Sequence, residues 1–388
     1  MLTPFDNRKL DRLMDEAGVD LVLASSPHNV QYLLGGYRFF LFAHGTVMGI
    51  SGHLPLLGYV KGRPDAAFYV GNALEGSQQE YDPLWVAEVK NSAWTTVESA
   101  ELAAAQIRSL QLHRGRIAIE PSFLPEDAYR TLARELPAAE IADAFEMLEE
   151  LRAIKRPDEI DLLRSAAQGI VDSMIAVFAD AQSGITKLAL VEWMRLEETQ
   201  RGLAFEYCLA STGRSFNRAP ASEVGWGEGE ICCLDSGGSL RGYVGDLARM
   251  ASMGPVSAEA AELLYEVDAV QQAARTAVAP GRRGGDVLDA AMACLRECSH
   301  ADQLDFVAHG LGLITHEVPR LMSTGVVRYA GRHEDRALEA GMVLSLETDL
   351  RSRSRGFIKL EDTVVVTETG YEPLGDDGRG WNVAGSRH

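Results

Sequence analysis

Residues 6–18 carry apolar positions at helical spacing and close on Gly18, which predicts an amphipathic helix. The apolar run VDLVLAS (19–25) reads as a buried strand, and PHNVQYLLGG leads from it into another helix and a turn. HLPLLGYVKGRPDAAFYVG (53–71) has the pattern of a hairpin turning at Gly62–Asp65. A helical stretch over 98–111 precedes the strand RIAIE (116–120). Helix and strand alternate in this way through residue 142, as in an α/β domain.

The pattern changes beyond a linker expected near 145–156. Pro157 stands where the first turn of a helix tolerates a residue without an N–H. Ile160, Leu163, Ala167, Ile170, Met174 and Phe178 follow at helical spacing and give that helix one apolar face. Further helices are predicted over 186–201, 257–278 and 284–298, with strands at 205–211, 230–236, 241–247, 304–308, 342–348 and 356–367. The expected fold is α+β: residues 1–145 form a smaller α/β domain, and 146–388 a second domain with mainly antiparallel strands. A chain of 388 residues exceeds one ordinary hydrophobic core, which agrees with two domains.

Composition narrows the function classes. An apolar content of 46% fits packed globular domains, and a net charge of −19, from 56 acidic and 37 basic residues, argues against nucleic acid or an anionic membrane as partner. Cys208, Cys232, Cys233, Cys294 and Cys298 are odd in number and form no CxxC pair, so free thiols are expected rather than a disulfide framework or zinc knuckle. No signal-peptide pattern and no apolar stretch of membrane-spanning length is read, so the expected location is cytoplasmic. APGRRGGD (279–286) lacks the preceding strand and the Lys-Ser/Thr pair of a phosphate loop and reads as a helix-entry turn.

Acidic residues in apolar strands carry the candidate chemistry. Asp235 ends the run Ile231-Cys232-Cys233-Leu234, where a lone carboxylate is costly to bury. A glycine-containing turn over Ser236–Leu240 would bring Asp246 back across from it on the neighbouring strand. Glu347 ends the apolar strand GMVLSLE, and Glu361 interrupts GFIKLEDTVVVT. Between the pairs lies DFVAHGLGLITHEVP, with His309 and His316. Each acid alone would be an ordinary solvated hairpin residue, and each histidine an ordinary core residue. Together, four carboxylates and an imidazole in strand settings are neutralised at once by bound cations, and oxygen-rich ligation with one imidazole suits a pair of manganese, cobalt, iron or zinc ions.

These residues in this order resemble the pita-bread metallopeptidases, the family of prolidases, Xaa-Pro and methionine aminopeptidases and creatinase. The matching pieces are DSG at 235–237, GYVGD at 242–246, HGLGLITHEVP at 309–319, GMVLSLE ending in Glu347, and KLEDTVVVTETG containing Glu361. RLMDEAGVDLVLASSPHNVQYLLGGY resembles the creatinase-type N-terminal domain, and LRAIKRPDEIDLLRSAA the entry into the catalytic domain. The resemblance implies a pita-bread catalytic domain behind a creatinase-type domain, and two divalent metal ions, manganese foremost. Asp235 would chelate one ion, His309 and Glu347 the other, and Asp246 and Glu361 would bridge both. Glu347 would also move protons between the attacking water and the leaving amine, and His316 would stabilise the tetrahedral oxyanion. A homodimer is implied as well, in which Arg38, Phe39 or His44, from GGYRFFLFAHG (35–45) of one N-terminal domain, would complete the other subunit's pocket.

Three positions depart from the family. Ala221, in ASTGRSFNRAPASEVGW, stands where its peptidases carry a histidine, with Arg214 and Arg218 the basic groups nearby. Thr348-Asp349 replaces a Pro-Gly pair, and Lys359 stands where an arginine is common. The departures bear on the substrate shell, and Arg214, Arg218 and Arg38 are candidates to hold a substrate carboxylate. The expected function is dinuclear-metal hydrolysis of an amide C–N bond in a short peptide of Xaa-Pro type. The alternatives are a hydrolase or lyase of a small non-peptide substrate, as in creatinase or ectoine hydrolase, and a non-catalytic binding module.

Overall fold

The computed structural model describes residues 3–44, 54–321 and 333–385. The chain divides into two compact units, Met1–Leu151 and Arg152–His388.

In the first unit, helix α1 (Asn7–Ala17) is capped by Asp6, whose carboxylate accepts the Lys9 N–H at 2.9 Å, and it stops at Gly18, where φ is +64°. The chain continues through β1 (Leu21–Ala24), α2 (Pro27–Leu33), β2 (Leu56–Val60), β3 (Arg63–Asn72), the short α3 (Gly76–Gln79), β4 (Glu88–Ala93), α4 (Thr96–Ser109), β5 (Arg116–Ile119), α5 (Glu126–Glu135), β6 (Glu140–Asp143) and α6 (Phe145–Arg152). The strands form one mixed sheet in the order β4-β3-β2-β1-β5-β6. Ala100, Ala103 and Ile107 of α4 pack against Leu21, Leu56, Phe68 and Val70 of the sheet. The segment expected as a linker is largely helical. In α6, Leu148 and Leu151 are buried, so the polar residues between them mark an exposed helix face rather than a loop.

The second unit runs through α7 (Pro157–Asp180), α8 (Lys187–Gln200), β7 (Ala204–Thr212), β8 (Ile231–Leu240), β9 (Tyr243–Ser252), α9 (Ala258–Ala277), α10 (Gly284–Glu297), β10 (Leu304–Gly310), β11 (Glu317–Arg320), β12 (Val343–Ser352), β13 (Gly356–Val366), β14 (Tyr371–Leu374) and β15 (Asn382–Val383). Its sheet has the order β11-β10-β12-β13-β9-β8-β7, with β14 beside β13 and β15 beside β9. Apart from β15 on β9, the pairings are antiparallel.

Helix α7 starts at Pro157, with the Arg156 N–H donating to the Glu159 carboxylate at 2.9 Å. By length and composition α7 could cross a membrane, contrary to the sequence expectation that no stretch qualifies. Its apolar side is used within the unit: Leu163, Ala167, Ile170, Met174 and Phe178 are buried, and the helix packs on β8 and β9. Gly245 permits that approach, because a Cβ there would lie 2.8 Å from Ile170 and 3.0 Å from the Ala167 nitrogen. At the other expected helix entry, α10 begins at Gly284 with the Arg283 N–H held by Asp286 at 2.9 Å.

The β8–β9 hairpin turns later than expected. Strand β8 runs through Leu240, and the two-residue turn is Arg241–Gly242, with φ of +50° and +85°. The glycines of DSGG serve close packing instead: a Cβ on Gly237 would meet the Tyr207 ring at 2.4 Å.

Candidate metal centre

Strand alternation and register bring the acids to one face. Asp235 pairs with Ala248 and Gly237 with Asp246, so the two aspartates sit diagonally, two positions apart, on the same side of the β8–β9 hairpin. Glu347 of β12 lies directly opposite Glu361 of β13, and Glu361 in turn pairs with Ala248 of β9. His309 of β10 pairs with Ser345 and turns its Nε2 to the Glu347 Oε1 at 2.8 Å. All five expected ligands therefore converge on one sheet face. One donor atom each from Asp246, His309 and Glu361, all buried, lie within 4.8 Å of one another.

The electrostatics are those of acids held too close together. Burial, then Glu361 and Asp235, push the Asp246 carboxyl well above its usual range. Burial and the facing Glu347 raise Glu361. Burial would raise Glu347 too, but Lys359 and the His309 hydrogen bond outweigh it and hold that carboxyl low. Asp246 Oδ1 is buried without a hydrogen-bond partner among the described residues. An orphaned carboxylate oxygen beside an imidazole and a second carboxylate fits a divalent cation of the kind the donor set prefers.

Lys359 is more deeply involved than its sequence position suggested. Two residues before Glu361 on β13, it shares that residue's face, and its Nζ reaches Asp235 Oδ2 at 2.7 Å, Glu361 Oε2 at 2.7 Å and Glu347 Oε2 at 2.8 Å. Arg218 also donates to Asp235 Oδ2, at 2.7 Å, and lies over the Phe357 ring. Expected as a substrate residue, it is first a partner of an expected metal ligand. Arg214 is exposed on the same β7–β8 connection and makes no such bond. Arg38 is exposed in the N-terminal unit, where its carbonyl accepts from Gln78.

His316 stacks on His309 with ring centroids 4.0 Å apart. Burial and the neighbouring imidazole push its pKa down to about 4, so it is neutral near pH 7. The next residue, Glu317, is buried and anchors this loop by pairing with Arg152 at 3.1 Å and Lys155 at 2.7 Å. Sequence reading overlooked that pair, although Arg152 and Lys155 flank the expected domain entry. It also overlooked Tyr207, whose buried phenol is pushed up by burial and by the charges of Asp246, Glu361 and Asp235. A lone tyrosine in a strand carries no signal of those neighbours.

The other departures prove to be structural at two points. The Thr348 hydroxyl is buried and donates to Gln271 Oε1 at 2.7 Å on α9, so Thr348 ties β12 to a helix and does not face the acids. Ala221 accepts the Leu188 N–H at 3.0 Å through its carbonyl, which fixes this loop to the start of α8. Asp349 does share the face of Glu347, and burial pushes its pKa up to about 6.

Comparison with known proteins agrees with this geometry. The model of metallopeptidase family M24 matches residues 161–368, and that of the Creatinase/Prolidase N-terminal domain matches residues 8–154. An Xaa-Pro dipeptidase of Pyrococcus furiosus is 23% identical over 94% of this chain and 96% of its own length. Among solved structures, an Xaa-Pro dipeptidase from Bacillus anthracis superposes with a TM-score of 0.81 at 20% identity, covering 97% of this chain and 98% of that one. An X-Pro aminopeptidase from Thermotoga maritima gives 0.76 at 19% identity, covering 97% and 99%. The two-domain architecture, a creatinase-type unit before a pita-bread unit, is common to all three comparisons.

Proposed function

Because the chain belongs to metallopeptidase family M24 and is a metal-dependent hydrolase, we propose that it cleaves the amide C–N bond of short Xaa-Pro peptides. One observation carries the reading: the buried convergence of Asp246, His309 and Glu361, with Asp246 Oδ1 left for a cation. The similarity to an Xaa-Pro dipeptidase along nearly the whole of both chains supports the substrate class. A divalent ion bound there supplies Lewis acidity and a water of lowered pKa, and a carboxylate-rich set with one imidazole suits manganese.

The chain's own residues do the rest. Glu347, held against His309 at 2.8 Å, carries a proton between the attacking water and the leaving amine. His316, neutral near pH 7, donates an N–H to the oxygen on which negative charge develops. Arg218 gives one N–H to Asp235 and keeps others for a substrate carboxylate at the partly exposed rim.

A second reading, hydrolysis of a small non-peptide amide, is favoured by Ala221, which offers no side-chain donor where the resemblance leads one to expect a histidine. A panel of Xaa-Pro dipeptides, longer Xaa-Pro peptides and N-acyl or cyclic amino acids separates the two. Turnover of Ala-Pro with kcat/KM of ~10⁴ M⁻¹s⁻¹ or above, abolished by chelator, is expected. Inactivity on every Xaa-Pro peptide with the ion demonstrably bound would remove the peptidase reading in favour of the second.

A further inference from the structure

Resting on the hydrolase reading, we infer that the Lys359 ammonium takes the place of a second metal ion, so that the centre holds one divalent ion per chain. An ammonium has three N–H donors and no acceptor. Here the ammonium donates to Asp235 of β8 and Glu361 of β13 at 2.7 Å and makes an ion pair with Glu347 of β12 at 2.8 Å, so it meets three different carboxylates. The lysine side chain is only 6% exposed, and alternation along β13 directs it to the same face as Glu361.

Counting the oxygens leads to the same result. Glu347 gives Oε2 to Lys359 and Oε1 to His309, and Asp235 Oδ2 serves both Lys359 and Arg218. Glu361 gives Oε2 to Lys359 and receives the Ser345 hydroxyl on Oε1 at 2.8 Å. Asp246 Oδ1 is buried without a partner among the described residues, and Asp246, His309 and Glu361 are the set whose donor atoms lie within 4.8 Å. Asp235 is not in that set.

Charge balance is the third argument. The four carboxylates carry four negative charges when ionised, and Lys359 and Arg218 return two of them. One divalent ion cancels the remainder. A second would leave a buried excess of positive charge beside an ammonium, an arrangement that low local polarity penalises heavily. Arginine would not do the same work, because its charge is spread over a planar fork on a longer stem, whereas the compact ammonium fits among three oxygens.

The test is metal content, read independently of turnover. Purified full-length protein, stripped and then titrated with manganese, is followed by calorimetry and by elemental analysis after gel filtration. Wild type should bind one ion per chain, and Asp235→Asn should still bind one. Lys359→Met, which keeps the stem and removes the charge, should move the stoichiometry to two and give the electron-spin resonance signal of a coupled manganese pair. Should Lys359→Met fail to fold, Asp235→Asn alone decides the matter, because a two-ion centre would lose an ion with that ligand. Two ions in wild type would overturn the single-ion inference while leaving the hydrolase reading standing. No ion in any form would overturn the hydrolase reading itself.

Discussion

Glu361 and Asp362 are neighbours on β13, both buried, and alternation sends them to opposite faces of the same sheet. On one face Asp362 meets Arg249 at 3.1 Å, Arg275 at 3.5 Å and Arg379, with Gln271 donating to it at 3.0 Å. There three guanidinium groups are shared among Asp362, Asp376 and Asp268, and the Asp362 carboxyl is held below its usual range despite burial. On the other face Glu361 joins three further carboxylates, with Lys359 and Arg218 the two cations against the four acids. A buried acid compensated by guanidinium groups serves stability. Acids left short of positive charge are a site for a cation, and the two solutions lie one residue apart.

The comparison can be broken first at Asp362. Asp362→Ala leaves three guanidinium groups without their central anion and should cost about 3–5 kcal/mol of stability, read from denaturant unfolding of the metal-loaded protein. Metal content per folded chain should stay unchanged. A mutant as stable as wild type would mean that the arginines find other partners. His316→Ala probes the opposite face. It should retain the ion and the melting temperature but lower kcat by ~10²–10³-fold, the usual loss for a donor to a developing oxyanion. An unaltered kcat would make His316 a packing partner of His309 only.

The smallest effect is expected at a third buried acid, Glu198 of α8, which forms no ion pair with arginine or lysine among the described residues. The Ser236 hydroxyl donates to its Oε1 at 2.8 Å, while its Oε2 has no partner among the described residues. Burial, and to a lesser degree Glu206, push its pKa from 4.5 up to about 8. A raised carboxyl pKa means that the native state holds the proton more tightly than the unfolded chain. The associated stability is fully present below pH 4.5 and is lost as pH rises through about 8. Glu198→Gln should therefore flatten the decline of melting temperature between those limits. An unchanged slope would show that Glu198 is already ionised and otherwise satisfied.

The elements were largely legible in sequence because their signals are local. Pro157 opens α7, Gly18 closes α1, and the acids interrupting apolar strands marked the centre. What escaped depended on partners distant in sequence or on exposure. Lys359 showed only as an unusual neighbour of Glu361, since nothing local reveals that three strands aim carboxylates at its ammonium. Arg218 showed as a free cation for substrate, although the register of β8 puts Asp235 beneath it. Thr348 looked like a change in the substrate shell, because the Gln271 it meets lies on a helix far upstream. Arg249 gave no sign of being fully buried, because its carboxylate and carbonyl partners arrive from β13 and the segment after β14. The turn was placed early because glycine signals bends and close contacts with the same letter, and here Gly237 serves a contact.

The proposed donors for the cation come from β9, β10 and β13, strands separated by long stretches of sequence. A nascent polypeptide still waiting for β13 lacks the complete proposed set, so the ion cannot guide the folding of the strands made before it. Uptake follows closure of long-range strand pairs, which is the slow part of folding such a sheet. The ion then favours the native form alone, by about 2.7 kcal/mol when its free concentration is 100 times its dissociation constant.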